Sequence, residues 1–173
     1  MKQPGGGDPA WRRELRRGLE SGDRQALARV PKTDLHCHGL LSAPLATYES
    51  LLGYPLPLPP VRFGSFQRFA DYIAANLLAT MSGPDSVRAI VRAALQRMAG
   101  DGIVYAEMSF DLLVPEFIGI QIEAFGELLA EELSRVAGRL TVAPEIGIAR
   151  GLPASEAERR LRRWLASGVG RSV

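Results

Sequence analysis

Pro31-Lys32-Thr33-Asp34-Leu35-His36-Cys37-His38 is the stretch on which the fold turns, bounded by proline before and by Gly39 after. Its side-chain character alternates, which predicts a short strand with two chemically different faces. Residues two apart on a strand share a face about 6.5 to 7 Å apart, so His36 and His38 can aim both imidazoles at one ion. Bonds near 2.0 to 2.1 Å would hold a metal ion there. Asp34 is expected on the same face, with Leu35 and Cys37 pointing the other way toward covering helices. A His-x-His pair also arises by chance, so its meaning depends on what surrounds it.

Outward from this strand, Trp11 to Ala28 reads as a helical region broken at Ser21-Gly22-Asp23. Toward the carboxyl side, Tyr54 to Pro60 is proline-rich and must be extended. Phe63, Phe66, Phe69, Tyr72, Ile73 and Leu77 recur at helical spacing; core packing is the expected use of this stripe, a lid over substrate the alternative. A helix from about Ser86 carries Val87, Ile90, Val91, Ala94, Leu95 and Met98 on one face, with Asp85 or Ser86 as cap and Gly100 or Gly102 closing it. It feeds Ile103 to Phe110, an apolar strand of the sort buried on both faces. The pattern repeats: Ile122 to Val136 is an amphipathic helix, Leu140 to Ile148 a strand weakened by Pro144, and a last helix begins near Ser155 with Glu158 completing a capping box. Three strands separated by helices, with no hairpin signal, describe an α/β chain with a parallel sheet, closed as a barrel or doubly wound. Residues 1–28 form an N-terminal helical region and residues 29–173 the sheet-bearing domain.

The composition excludes some classes. A chain of 173 residues with 46% hydrophobic and 23% charged residues suits one soluble globular domain or part of one. Its net charge of +2 gives no reason to expect nucleic-acid binding, and Arg12, Arg13, Arg16 and Arg17, interleaved with Leu15 and Leu19, suit the wet face of a helix. The single Cys37 rules out an internal disulfide and fits a reducing, cytoplasmic setting. The glycine-rich start, Met1 to Gly7, lacks the apolar run of a signal peptide or membrane span.

The stretch Pro31 to His38 resembles the opening signature of the adenosine and AMP deaminase family, in which Pro-Lys, an acidic residue and Leu precede two histidines. Asp101-Gly102-Ile103-Val104-Tyr105-Ala106-Glu107-Met108-Ser109 is similar to that family's second strand, and the third strand, ending in Ala149-Arg150, is also similar. The likeness spans roughly residues 27 to 150. It implies the first three βα units of a TIM (β/α)8 barrel, with the histidines at the carboxyl end of a strand, where such barrels place active sites. It implies a hydrolase that uses one zinc ion, held in part by His36 and His38, to add water to C6 of adenosine or a related aminopurine and release ammonia. Zinc would bring its bound water to a pKa of about 7.

Two departures follow. Family members continue His-Leu-Asp-Gly, whereas this chain reads His38-Gly39-Leu40-Leu41-Ser42, so the acid that holds ribose is missing. The chain has only two histidines, while the family uses a third zinc histidine, a glutamate in a His-Ala-Gly-Glu segment, another histidine and a late aspartate. The ligand set is therefore expected to be incomplete and the chain inactive alone, through truncation or frameshift, or with a second chain supplying the rest of the barrel. Rival readings are a non-catalytic remnant or assembly partner, and another His-x-His amidohydrolase or PHP-type phosphoesterase, which would normally show further histidines soon after. Glu107 is expected to pair with an arginine rather than serve the site. Lys32 either touches the site or closes the barrel floor.

Overall fold

Ile103–Asp111 (β2) is the strand around which the chain is organised: Ala106, Met108 and Phe110 are buried on one face, while Tyr105, Glu107 and Ser109 are half-buried on the other. In the computed structural model, which describes residues 9–168, β2 pairs in parallel with Lys32–His38 (β1) on one side and Thr141–Gly147 (β3) on the other. The α/β pattern and parallel sheet are as expected. Burial of β2 on both faces is not, because helices cover only the face of Ala106, Met108 and Phe110. Residues 1–8 and 169–173, which the sequence reading also covered, lie outside the described residues.

Two helices, Ala10–Ser21 (α1) and Arg24–Arg29 (α2), precede the sheet. They break where predicted, because Gly22 adopts φ 67° and the Asp23 carboxylate accepts from the N–H groups of Gln25 and Ala26. Between β1 and β2 the chain makes Leu45–Leu52 (α3), the proline-rich passage, Phe66–Asn76 (α4) and a 3₁₀ turn, Leu78–Thr80, before Pro84–Gly100 (α5). After β2 come Val114–Phe117 (α6) and Ile122–Ser134 (α7); Ala154–Ala166 (α8) follows β3. The short helices α3 and α6 have no counterpart in the sequence reading.

The core lies between the sheet and α5, α7 and α8. Helix α5 buries all six apolar residues read from its sequence, and α7 buries Ile122, Phe125, Leu128 and Leu129. Each such side chain contributes about 1.5 to 3 kcal/mol relative to exposure, so this face dominates the stability of the layer. Phe125 is the bridge across it, packing against Phe110 of β2 at 6.3 Å and Trp164 of α8 at 6.2 Å between ring centres. Pro144 is tolerated because β3 is an edge strand among the described residues.

Helix ends differ from the sequence reading. The cap of α5 is Gly83, with Pro84 as first residue, and the Ser86 hydroxyl accepts from the Gly83 N–H. Helix α8 starts after Pro153, whose carbonyl accepts from Glu156 and Ala157. Ser155 is thus inside the helix, and Glu158 pairs with Arg162 instead of closing a capping box. Ser65 caps α4, whose aromatic stripe is not core: no α4 residue is buried, and Phe66 is 80% exposed. Phe63, just ahead of the helix, packs on Phe69 and Tyr72, so the aromatic residues satisfy one another.

Candidate metal centre

The pairing of β1 with β2 contains a bulge that decides where the motif residues point. Asp34 lies opposite Ala106 and Cys37 opposite Met108, so Leu35 and His36 together face the single residue Glu107. One extra residue inverts the alternation across it. Asp34 therefore shares the helix-covered face with Ala106, and its carboxylate accepts from the His36 N–H at 3.2 Å. His38 falls opposite Ser109 on the polar face. Asp34 does not join the histidines, contrary to the expectation from a regular strand. Leu35, expected beneath the helices, stands at the bulge and is 61% exposed.

His36 and His38 do come together, edge to face, with ring centres 5.1 Å apart. Two imidazoles bonded to one tetrahedral ion at about 2.0 to 2.1 Å hold their ring centres roughly 5 Å apart, so the spacing suits a shared ion. Glu145 on β3 lies opposite Ser109, level with His38, and its Oε2 is 3.9 Å from Nδ1 of His36. No group of three His, Cys, Asp or Glu side chains is already arranged to hold a metal among the described residues. The donors fit a metal ion in kind and spacing, as a pair. Cys37 is on the other face, where burial first and the charge of Asp34 next push its thiol up to about 11. A thiolate is the form that ligates, so this cysteine is poorly suited to join them.

Several local contacts set the site. Gly39 follows His38 and donates to the Ser109 carbonyl; a Cβ here would lie 2.3 Å from the Phe110 ring, so only glycine fits. Tyr48 of α3 is buried, donates to the Leu40 carbonyl and accepts from the Ala43 N–H, fastening the loop after the histidines. Burial pushes its phenol up to about 12, which keeps it neutral in this role. Lys32 sits at the opposite end of β1, donating to the carbonyls of Leu27 and Val30 at the end of α2, and so closes the floor. Glu107 accepts from the Tyr105 hydroxyl at 3.2 Å on the polar face and has no arginine partner among the described residues, contrary to the expected ion pair.

At the carboxyl ends of the strands a cavity of about 480 Å³ opens beside His38. Ser109, Asp111 and Gly147 form its floor, and Leu40, Leu41, Ile73 and Leu78 stand among its apolar walls. The α4 stripe thus reaches the cavity through Ile73. Sequence reasoning passed over Glu145, Tyr48 and Asp111. The available signal for Glu145 was a charged residue two steps from Ala143 in an otherwise apolar strand.

Neither a protein-family model nor a curated protein matches the chain. Solved structures do share its fold. One is the crystal structure of an adenine deaminase from Arthrobacter aurescens, 20% identical, with a TM-score of 0.62 over 80% of this chain and 46% of that one. Another is an amidohydrolase from Burkholderia ambifaria with bound zinc, 16% identical, with a TM-score of 0.58 over 96% of this chain and 54% of that one. The chain spans about half the length of either. At these identities the likeness is one of fold, and it agrees with a parallel sheet of the TIM-barrel kind.

Proposed function

We propose that His36 and His38 are the first two ligands of a zinc ion in an amidohydrolase-type enzyme that releases ammonia from an aminopurine. The observation that carries this reading is the 5.1 Å spacing of the two rings at the carboxyl end of β1, beside the cavity. The sequence resemblance supports it, as does the bound zinc of one structural neighbour and the adenine deaminase activity named for the other. Zinc, when bound, would make hydroxide available near neutral pH.

The chain's own residues do the rest. His36 and His38 hold the ion from the polar face, and Gly39 and Tyr48 fix the loop that follows them. Leu40, Leu41, Ile73 and Leu78 give a flat heterocycle an apolar, water-poor wall, while the Ser109 hydroxyl offers a polar contact at the floor. Leu40 stands where the deaminase pattern has its ribose-holding acid, which favours a free aminopurine base over a nucleoside. In this reading the third histidine and the catalytic glutamate belong to polypeptide outside these residues, either a continuation of the chain or a second chain.

Calorimetric titration with zinc tests the reading. One weakly bound ion per chain is expected, with binding lost in His36→Ala and in His38→Ala. Zinc uptake unchanged by both substitutions would refute it.

A further inference from the structure

We infer that Glu145 is a positioning residue for the candidate metal centre, its carboxylate taking the Nδ1 side of His36 so that Nε2 is presented to the ion. The inference rests on the metal reading above and assigns a role that the histidine motif does not contain. Glu145 is 109 positions from His36 in sequence, yet its Oε2 stands 3.9 Å from Nδ1, and among the described residues no other carboxylate lies within 4.0 Å of a ring nitrogen of either histidine; Asp34 meets only the backbone N–H of His36.

The sheet explains why this carboxylate is available. Register places His38, Ser109 and Glu145 side by side across three parallel strands on one face. His36, two residues before His38, sets its ring on that same face, 5.1 Å from the His38 ring and with Nδ1 3.9 Å from Glu145. Glu145 is otherwise uncommitted, with no arginine or lysine paired to it among the described residues, whereas Glu123 and Glu132 of α7 and Glu156 of α8 are tied to arginines.

The chemistry of metal-bound imidazole calls for such a group. A ligating histidine commonly donates its second ring N–H to a carboxylate, which selects the tautomer and ring orientation and makes the bound nitrogen more basic. A distance of 3.9 Å is longer than a hydrogen bond, so the pair closes by about 1 Å when the ion is held. Side-chain rotation suffices for that, since Glu145 is 46% exposed. Direct ligation by Glu145 is a different arrangement, which the comparison of Glu145→Gln with Glu145→Ala separates from this one.

The test is a zinc titration of the full chain followed by long-range ¹⁵N NMR of the histidine rings, with Glu145→Ala, Glu145→Gln, His36→Ala and Glu127→Ala compared. The wild-type spectrum is expected to show His36 bound through Nε2 and protonated at Nδ1. Glu145→Ala should weaken zinc about 10- to 100-fold, the usual cost of losing such a partner. Glu145→Gln, whose amide oxygen still accepts, should keep the tautomer and recover much of the affinity; Glu127→Ala, a surface charge control on α7, should change nothing. Wild-type affinity in Glu145→Ala, with zinc lost in His36→Ala, would overturn the role of Glu145 and leave the metal reading standing. Equal losses in Glu145→Gln and Glu145→Ala would overturn it too, in favour of direct ligation. Wild-type zinc binding in His36→Ala would remove the metal reading itself and this inference with it.

Discussion

A methyl group on Gly39 would lie 2.3 Å from the Phe110 ring, and Phe110 is buried against Phe125, so the ring would have to shift within the core. Gly39→Ala is expected to cost about 1 to 3 kcal/mol through overpacking, read as a lower urea midpoint. It should also displace the loop behind His38. A midpoint within error of wild type would show that Phe110 moves freely and that the glycine is incidental. Gly102 is constrained for a different reason: its φ is 76°, and a Cβ would meet the backbone carbonyl of Ala28 at 2.0 Å. Both glycines flank β1 pairing, one at each end.

Helices α5 and α7 are joined by more than apolar contact. Glu132 on α7 is fully buried and accepts from Arg92 through both carboxylate oxygens, at 2.7 and 2.8 Å, and from Arg88 at 3.2 Å. Arg92 first and Arg88 next hold its carboxyl below the ordinary value of 4.5, against the opposing effect of burial. Glu132→Gln is expected to lower stability at pH 7 by about 1 to 3 kcal/mol, since it weakens charge-assisted hydrogen bonds. A depressed folded-state pKa stabilises the fold in full above the unfolded value. That contribution disappears as pH falls from about 4.5 through the lower folded value. Wild type and Glu132→Gln should therefore converge in thermal stability on acidification, and a gap that widens instead would contradict this assignment. Surface pairs such as Arg162 with Glu158 should matter far less, because exposed ion pairs are solvated and screened.

For the molecule as a whole, the two faces of the sheet differ. Helices bury one, while the other presents His36, His38, Tyr105, Glu107 and Glu145. Parallel sheets are usually covered on both faces, and among the described residues helices cover only one. The 173-residue chain, incubated with zinc and either adenine or adenosine, is expected to release no ammonia above a zinc blank. It carries two histidines and no third zinc histidine of the deaminase pattern. Release above that blank would show that the catalytic set is present after all. No helix among the described residues is long and apolar enough to cross a membrane.

Local periodicity determined much of this protein. The apolar faces of α5 and α7, the three strands and their parallel pairing, and the closeness of His36 to His38 all follow from spacings of two and of three to four residues, which the backbone imposes wherever it is regular. The tertiary structure decided what such spacing cannot carry. A bulge is set by register against a neighbouring strand, and it sent Asp34 to the helix side and left Leu35 exposed. Lys32 found its partners at the end of α2, the aromatic stripe of α4 packed outside the core, and Glu145 reached His36 across the sheet. These contacts join residues whose separation along the chain is unrelated to any local repeat, so only the folded arrangement of strands and helices brings them together.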